Sequence, residues 1–347
     1  MKRRGLLLGA VAMGPLGSWP SWAQTAAPTL PGVLSRPATT SPLATQGALL
    51  SVGRAGKRLV AGGERGTIVF SDDEGKQWTQ AKVPVQVSVT SLVFANEREG
   101  WAAGHFGVLL RTTDGGASWT LAMDGVRAAQ VLLKDATDDA QRRSAETKVK
   151  EGADKPFFDM ALVGNKLMAV GAYGLAIETS DGQNFQSLTA RLPNPRGFHL
   201  YGLRAAGQRV FAVGEQGLLL RSGDGGAIFE ALPSPYKGSF FGVVLLGEST
   251  VLAFGLRGNV WRSGDNGSTW TQVANPVPVS ISAGTLLPDS SVVLLAQNGD
   301  LLISRDQGVS FERRPAAPPF PAADLAVAGD GQLLLTGLRG LKRQAWL

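Results

Sequence analysis

Residues 60–78 read VAGGERGTIVFSDDEGKQW, and residues 101–119 read WAAGHFGVLLRTTDGGASW. The two share an apolar run, Gly-x-x-Gly, a second apolar run and then Ser/Thr-x-Asp-x-Gly-x-x-Trp/Phe. The first copy closes on Ser71, Asp73, Gly75 and Trp78, the second on Thr112, Asp114, Gly116 and Trp119. Further copies carry Ser222, Asp224, Gly226 and Phe229; Ser263, Asp265, Gly267 and Trp270; and Ser304, Asp306, Gly308 and Phe311. Residues 170–185, VGAYGLAIETSDGQNF, are one residue shorter between Asp181 and Phe185, which predicts a degenerate turn there.

The motif aspartates are separated by 41, 67, 43, 41 and 41 residues. A period of about 40 residues is that of a four-stranded propeller blade. The long interval holds one blade plus roughly 26 extra residues by the same repeat logic. The excess falls at about 123–155, rich in Ala, Lys, Glu and Arg, and predicts a helical insertion between blades two and three. Residues 324–347 supply three strands of a seventh blade. An open sheet edge is a liability, so residues 31–40 are expected to add the outer strand and close the ring. The expectation is therefore an all-β, seven-bladed propeller over 47–347, preceded by a segment at 24–46 that contains the closing strand.

Each motif residue has a structural task. The Asp accepts backbone N–H groups across the turn between strands three and four. The Gly adopts a positive φ, and the Trp or Phe buries its ring at a blade interface. Six spaced copies of one catalytic carboxylate would make little chemical sense. Asp73, Asp114, Asp181, Asp224, Asp265 and Asp306 are thus read as structural.

The chain has 347 residues, 44% of them apolar, with 45 Gly and no Cys. Disulfides and thiolate metal sites are excluded. Residues 1–23 have the layout of an export signal, with Lys2, Arg3 and Arg4 ahead of a short apolar run and Ser21-Trp22-Ala23 at a plausible cleavage point. The run is too short to span a bilayer. Arg3-Arg4 leaves ordinary secretion and twin-arginine export both open. Removing the three leader cations lowers the net charge from +6 to +3. No dense basic stripe with interleaved aromatics is present, so nucleic acid is not an expected partner. A monomer in the periplasm, secreted, or in an equivalent compartment such as a thylakoid lumen, is expected.

The six boxes, their Gly-x-x-Gly hairpins and the insertion resemble the photosystem II stability/assembly factor family, a branch of the BNR/Asp-box propellers. The resemblance covers roughly residues 33–347. It implies a propeller that is not an enzyme, uses no cofactor, and presents an arginine-rich face to a membrane-protein client. Photosynthetic members of the family help newly made reaction-centre protein to assemble. The basic residues here are sparser than such a patch demands, which puts the photosystem client itself in doubt.

The turns between strands two and three share one face with the blade-to-blade linkers, opposite the Asp boxes. Their variable pairs are Glu64-Arg65, His105-Phe106, Ala172-Tyr173, Glu215-Gln216, Leu256-Arg257, Gln297-Asn298 and Leu338-Arg339. The candidate partner-binding face is Arg65, His105, Phe106, Tyr173, Glu215, Arg257 and Arg339, extended by the linker residues Arg196 and His199. Arginine and aromatic side chains are the usual hot-spot types. Phe106 and Tyr173 stand out, since an exposed turn gives an aromatic no core reason to be there.

Two other readings compete. A sialidase-type glycosidase needs three arginines on a carboxylate, a Tyr–Glu nucleophile pair and an acid/base Asp. Only Tyr173, Tyr201 and Tyr236 could be that nucleophile. A permanent accessory subunit of an envelope transporter complex is the third. No phosphate loop, dinucleotide fingerprint, zinc spacing or nucleophile elbow is present.

Overall fold

A computed structural model describes residues 31–346. The export signal read at 1–23, and residues 24–30, lie outside the described residues. The chain is a seven-bladed β-propeller. Blade one pairs Leu49–Ala55, Arg58–Gly63, Ile68–Ser71 and Thr79–Gln80 in simple antiparallel order. Five further blades repeat this order, and their inner strands are Val89–Phe94, Phe157–Val163, Leu200–Ala206, Phe240–Leu246 and Ile281–Leu286. Among the described residues blade seven has three strands, Ala322–Val327, Leu333–Gly337 and Gly340–Gln344.

Second strands such as Val292–Ala296 and Leu333–Gly337 are buried at every position. Each blade is covered on both faces by its neighbours, so its middle strand is continuously apolar instead of alternating. Inner strands crowd towards the ring axis, and the third residue of each is small or acidic: Ser51, Ser91, Asp159, Gly202, Gly242, Ala283 and Asp324. A Cβ at Gly202 would stand 2.9 Å from the Phe241 carbonyl oxygen, which explains the preference for minimal side chains.

The insertion forms two helices, α1 (Gly125–Lys134) and α2 (Asp139–Glu151). Asp124 caps α1 by accepting from Arg127 N–H at 3.0 Å, and Asp138 caps α2 by accepting from Gln141 N–H at 2.8 Å. α1 buries Ala128 and Leu132 against Leu109, Met123 and Phe157. α2 buries only Ala145 and Lys148. No helix among the described residues is long and apolar enough to cross a membrane.

Among the described residues the expected closing strand is not formed. Residues 31–40 carry a 3-10 turn, Gly32–Leu34, and lie across blade one and its linker to blade two. Gln86 N–H donates to Val33 at 2.8 Å, Ala38 N–H to Val83 at 2.9 Å, and Gln80 Nε2 to Thr39 at 2.9 Å. Pro31 and Pro37 lack the N–H groups that a ladder needs. Leu34 buries its side chain beside Val83 and Val85. Blade seven closes on blade one by packing Leu334 and Ala328 with Leu49, Leu59 and Ala61. Three cross-seam groups assist: Asp324 accepts from Val52 N–H at 3.0 Å, Arg54 donates to the Val327 carbonyl at 2.8 Å, and Glu74 accepts from Gly329 N–H.

Candidate functional site

The two faces of the ring use their side chains differently. On the Asp-box face the aspartate of each box is consumed by its own turn. Asp265 accepts from Thr269 N–H at 2.9 Å, Thr269 Oγ1 at 2.6 Å and Ser263 Oγ at 2.7 Å, while Ser263 Oγ accepts from Gly267 N–H at 2.7 Å. Asp73, Asp114, Asp224 and Asp306 repeat this wiring. These donors favour the charged form, and hydrogen bonds to Thr269 and Ser263 hold Asp265 down at about 2. Asp306 is likewise held at about 2, by Ser304 and Ser310. The short third turn is not degenerate. Asp181 accepts from Gln183 and Asn184 N–H, both at 2.8 Å, one residue earlier than in the longer boxes.

Arginines join these turns from blade to blade, a role that sequence reading missed. Arg58 donates to the Asp114 and Gly115 carbonyls at 3.2 and 3.3 Å, Arg111 to Asp181 at 3.3 Å, and Arg191 to Gly226 at 3.0 Å. Arg221 reaches Asn266 at 2.5 Å and Arg262 reaches Gln307 at 2.9 Å. Five arginines are therefore spent on carbonyls of the next blade's turn. The signal was available, since Arg111, Arg221 and Arg262 recur at one register of the third strand.

On the hairpin face the backbone is the constant. The first turn residue donates N–H to the carbonyl just before its own inner strand, from Glu64 to Ala48 at 3.0 Å through Leu338 to Pro321 at 2.9 Å, in all seven blades. A Cβ at Gly63 would lie 2.0 Å from that carbonyl oxygen, so glycine is required at this close approach. Arg65, Phe106, Tyr173, Gln216 and Arg257 hold φ between 52° and 58°. This left-handed conformation costs roughly 1–2 kcal/mol per non-glycine residue and persists where surrounding bonds impose it.

The structure divides the candidate residues into separate groups. Arg65, Arg257 and Arg339 are exposed, make no ion pair among the described residues, and sit on blades one, five and seven. The ring spaces them one per hairpin. His105 stands on blade two with part of its surface in solvent, and partial desolvation of its imidazole holds its pKa below the usual value. Phe106 is not a free anchor. It is half-buried in the core with Val126 and Ala153, because the insertion folds over its hairpin.

Tyr173, Arg196, His199 and Glu215 belong together on blades three and four. Tyr173 is 56% exposed, and its N–H donates to His199 Nδ1 at 2.9 Å. The two rings meet edge to face at 4.6 Å. His199 N–H donates to Glu215 Oε2 at 3.2 Å. Lys155 lies 5.3 Å from the Tyr173 ring centre, and Arg196 stacks on Phe198 at 4.7 Å. Behind Tyr173 a cavity of about 520 Å³ opens between α2 and residues 192–197. Lys148 lines it, is 8% exposed, and donates to Ser144 Oγ at 2.8 Å with no carboxylate partner among the described residues. Burial, reinforced by the Lys155 charge, holds its pKa below the usual lysine value.

The aromatic surface continues inward. Phe158, Tyr201 and Phe241 follow one another around the channel mouth, with ring centres 5.4 and 5.6 Å apart, and His199 touches the first two. Of these three the sequence singles out only Tyr201, as a nucleophile candidate. Phe158 and Phe241 occupy the same register, the second residue of successive inner strands, and aligning the repeats at that column would have found them. Burial and the Glu215 charge push the Tyr201 hydroxyl pKa up, the opposite of what a tyrosine nucleophile requires.

No family model matches the chain, and no curated protein matches it. Among solved structures it is similar to YCF48 bound to D1 peptide, with a TM-score of 0.65 and 18% identity over 90% of this chain and 99% of that one. It is also similar to YCF48 from Cyanidioschyzon merolae, with a TM-score of 0.64 and 15% identity over 88% and 97%. Streptogramin B lyase gives a TM-score of 0.67 and 10% identity over 86% and 93%. At these identities the likeness is one of fold, shared by binding proteins and an enzyme alike.

Proposed function

We propose that this chain is an exported, non-catalytic assembly factor that docks a polypeptide segment of a membrane-protein client on its hairpin face. One observation carries the reading. The rings of Phe158, Tyr173, His199, Tyr201 and Phe241 form an unbroken aromatic surface across blades three to five, next to the cavity under α2. Aromatic surface with polar handles, on a rigid scaffold, suits extended backbone and apolar side chains of a partner. The hairpins supply that rigidity, since each is fastened by the same backbone bond. The photosystem II assembly-factor resemblance and the likeness to YCF48 bound to D1 peptide support a client of this kind. The raised Tyr201 and the dispersed Arg65, Arg257 and Arg339 do not form the tyrosine–arginine set of a sialidase.

The test places a photocrosslinking residue at Tyr173 or, on the opposite face, at Ile228, and irradiates intact cells. The expected result is an envelope membrane protein crosslinked from position 173 and not from 228. Capture from 228 alone, or equal capture from both, overturns the assignment. Fractionation of the same cells checks export, and Arg3→Lys with Arg4→Lys separates twin-arginine transport from ordinary secretion.

A further inference from the structure

We propose that the central channel is a binding site for an organic cation, a single ammonium group on a short apolar stem that enters from the hairpin face. The second residues of the seven inner strands ring the mouth: Phe158, Tyr201 and Phe241 on one side, and Leu50, Thr90, Ser282 and Ala323 on the other. Below them lies a cavity of about 440 Å³ whose charged lining is Asp159, Arg204 and Asp324. An outer space of about 630 Å³ leads up to Gln297 and Leu338 on the hairpin face.

The two carboxylates are not equivalent. Asp159 is fully engaged, accepting from Ser91 Oγ, Met160 N–H and Leu203 N–H, each at 2.9 Å, and pairing with the Arg204 guanidinium. Asp324 accepts from Val52 N–H at 3.0 Å and Leu325 N–H at 2.8 Å, and no side-chain cation pairs with it among the described residues. Arg54, from blade one, spends its guanidinium on the carbonyls of Val327 at 2.8 Å and Gly56 at 3.2 Å. The trio that lines the channel thus carries two negative charges and one positive.

The groups that act on Asp324 are Arg204 from blade four and Asp159 from blade three. Burial outweighs the help from Val52, Leu325 and Arg204 and pushes Asp324 up to about 6. At neutral pH it is an ionised carboxylate in a confined space, and the one nearby cation, Arg204, is already paired with Asp159. An incoming ammonium neutralises it, and the aromatic mouth favours a cation over its ring faces. A neutral molecule of the same shape leaves Asp324 uncompensated. An anion meets two carboxylates against the single, already paired Arg204.

Calorimetric titration of the full chain tests this with four probes: n-butylammonium, 2-phenylethylammonium, 2-phenylethanol and 3-phenylpropionate. Both ammonium probes are expected to bind at pH 7.5, with the alcohol and the carboxylate at least about tenfold weaker. Lowering the pH to 5 protonates most of Asp324 and should weaken the ammonium probes by about tenfold. Asp324→Asn should abolish the preference for charge, and Tyr201→Leu should weaken 2-phenylethylammonium more than n-butylammonium. Equal binding of the alcohol would show an apolar pocket, and preference for the carboxylate would show that Arg204 governs; either overturns the proposal. The wild-type probe and pH comparisons decide it even if Asp324→Asn fails to fold. A capped Ala-Lys-Ala peptide separates the sources: affinity matching n-butylammonium points to a partner's lysine, and exclusion of the peptide to a free amine. Crosslinking from position 173 is independent of this result, so the channel and the docking face stand or fall separately.

Discussion

The Asp-box face and the hairpin face are built from the same seven repeats and treat them in opposite ways. On the Asp-box face the side chains are constant because each is used up where it stands. The carboxylate binds its own turn, the hydroxyl binds the carboxylate and the glycine, and the ring packs beneath. On the hairpin face the backbone is constant and the side chains vary, since one N–H to carbonyl bond secures each turn whatever residues it bears. Repetition of side chains marks a structural duty here. Repetition of backbone with divergent side chains leaves chemistry free for a partner, and that freedom is where Tyr173 and His199 sit.

Four experiments press on this contrast, from the largest expected effect to the smallest. Trp119, 4% exposed and donating Nε1–H to the Gly116 carbonyl at 3.0 Å, anchors a box. Trp119→Ala should cost about 3–5 kcal/mol in urea unfolding while the folded fraction keeps its crosslink from position 173. If docking is lost along with stability, the faces are not independent. Ser222 donates to Asp224 at 2.6 Å and accepts from Gly226 N–H at 2.9 Å, so Ser222→Ala should cost about 1–3 kcal/mol. A neutral result would mean that the box is ornament.

The third experiment is an acid titration of stability, in which the two kinds of carboxylate act with opposite sign. Asp265 and Asp306, held at about 2 against an ordinary 3.8, bind fewer protons in the folded state. Their contribution is complete above pH 4 and is lost as pH falls towards 2. Asp324, raised to about 6 from the same 3.8, binds more protons in the folded state. Its effect lowers stability as pH climbs from about 4 to 6 and is constant above that. Asp306→Asn should flatten the first limb and Asp324→Asn the second; an unchanged second limb in the latter would place the titration elsewhere. The smallest stability effect belongs to Tyr173→Ala, within about 0.5 kcal/mol because the ring is half in solvent. It should nonetheless weaken client capture from a crosslinker moved to position 196, and full retention there would remove Tyr173 from the docking surface.

How much of this the sequence disclosed follows from the same contrast. The blades, their period and the insertion were legible because box residues recur at fixed offsets and each has a local physical reason. The seam was misread. An open edge argued for a fourth strand at residues 31–40, yet two prolines and the pull of Val83 and Val85 on Leu34 sent that segment to blade one. Phe106 was misread because the helices that cover it come from a different stretch of chain. The channel residues were harder still: Asp159, Arg204 and Asp324 lie on three blades and carry no motif, so only ring closure brings them together.

The three-stranded seventh blade also bears on how the molecule comes apart. Among the described residues six blades carry an outer strand, whereas the seam between blades seven and one relies on side-chain packing and three cross-seam groups, one of which, Asp324, titrates. Local opening begins where buried contacts are fewest. Amides of Gly340–Gln344 should therefore exchange with deuterium ahead of the six complete blades, at a rate that rises as Asp324 ionises. A ring fastened in this way has a first place to yield, at the seam where its first and seventh blades meet.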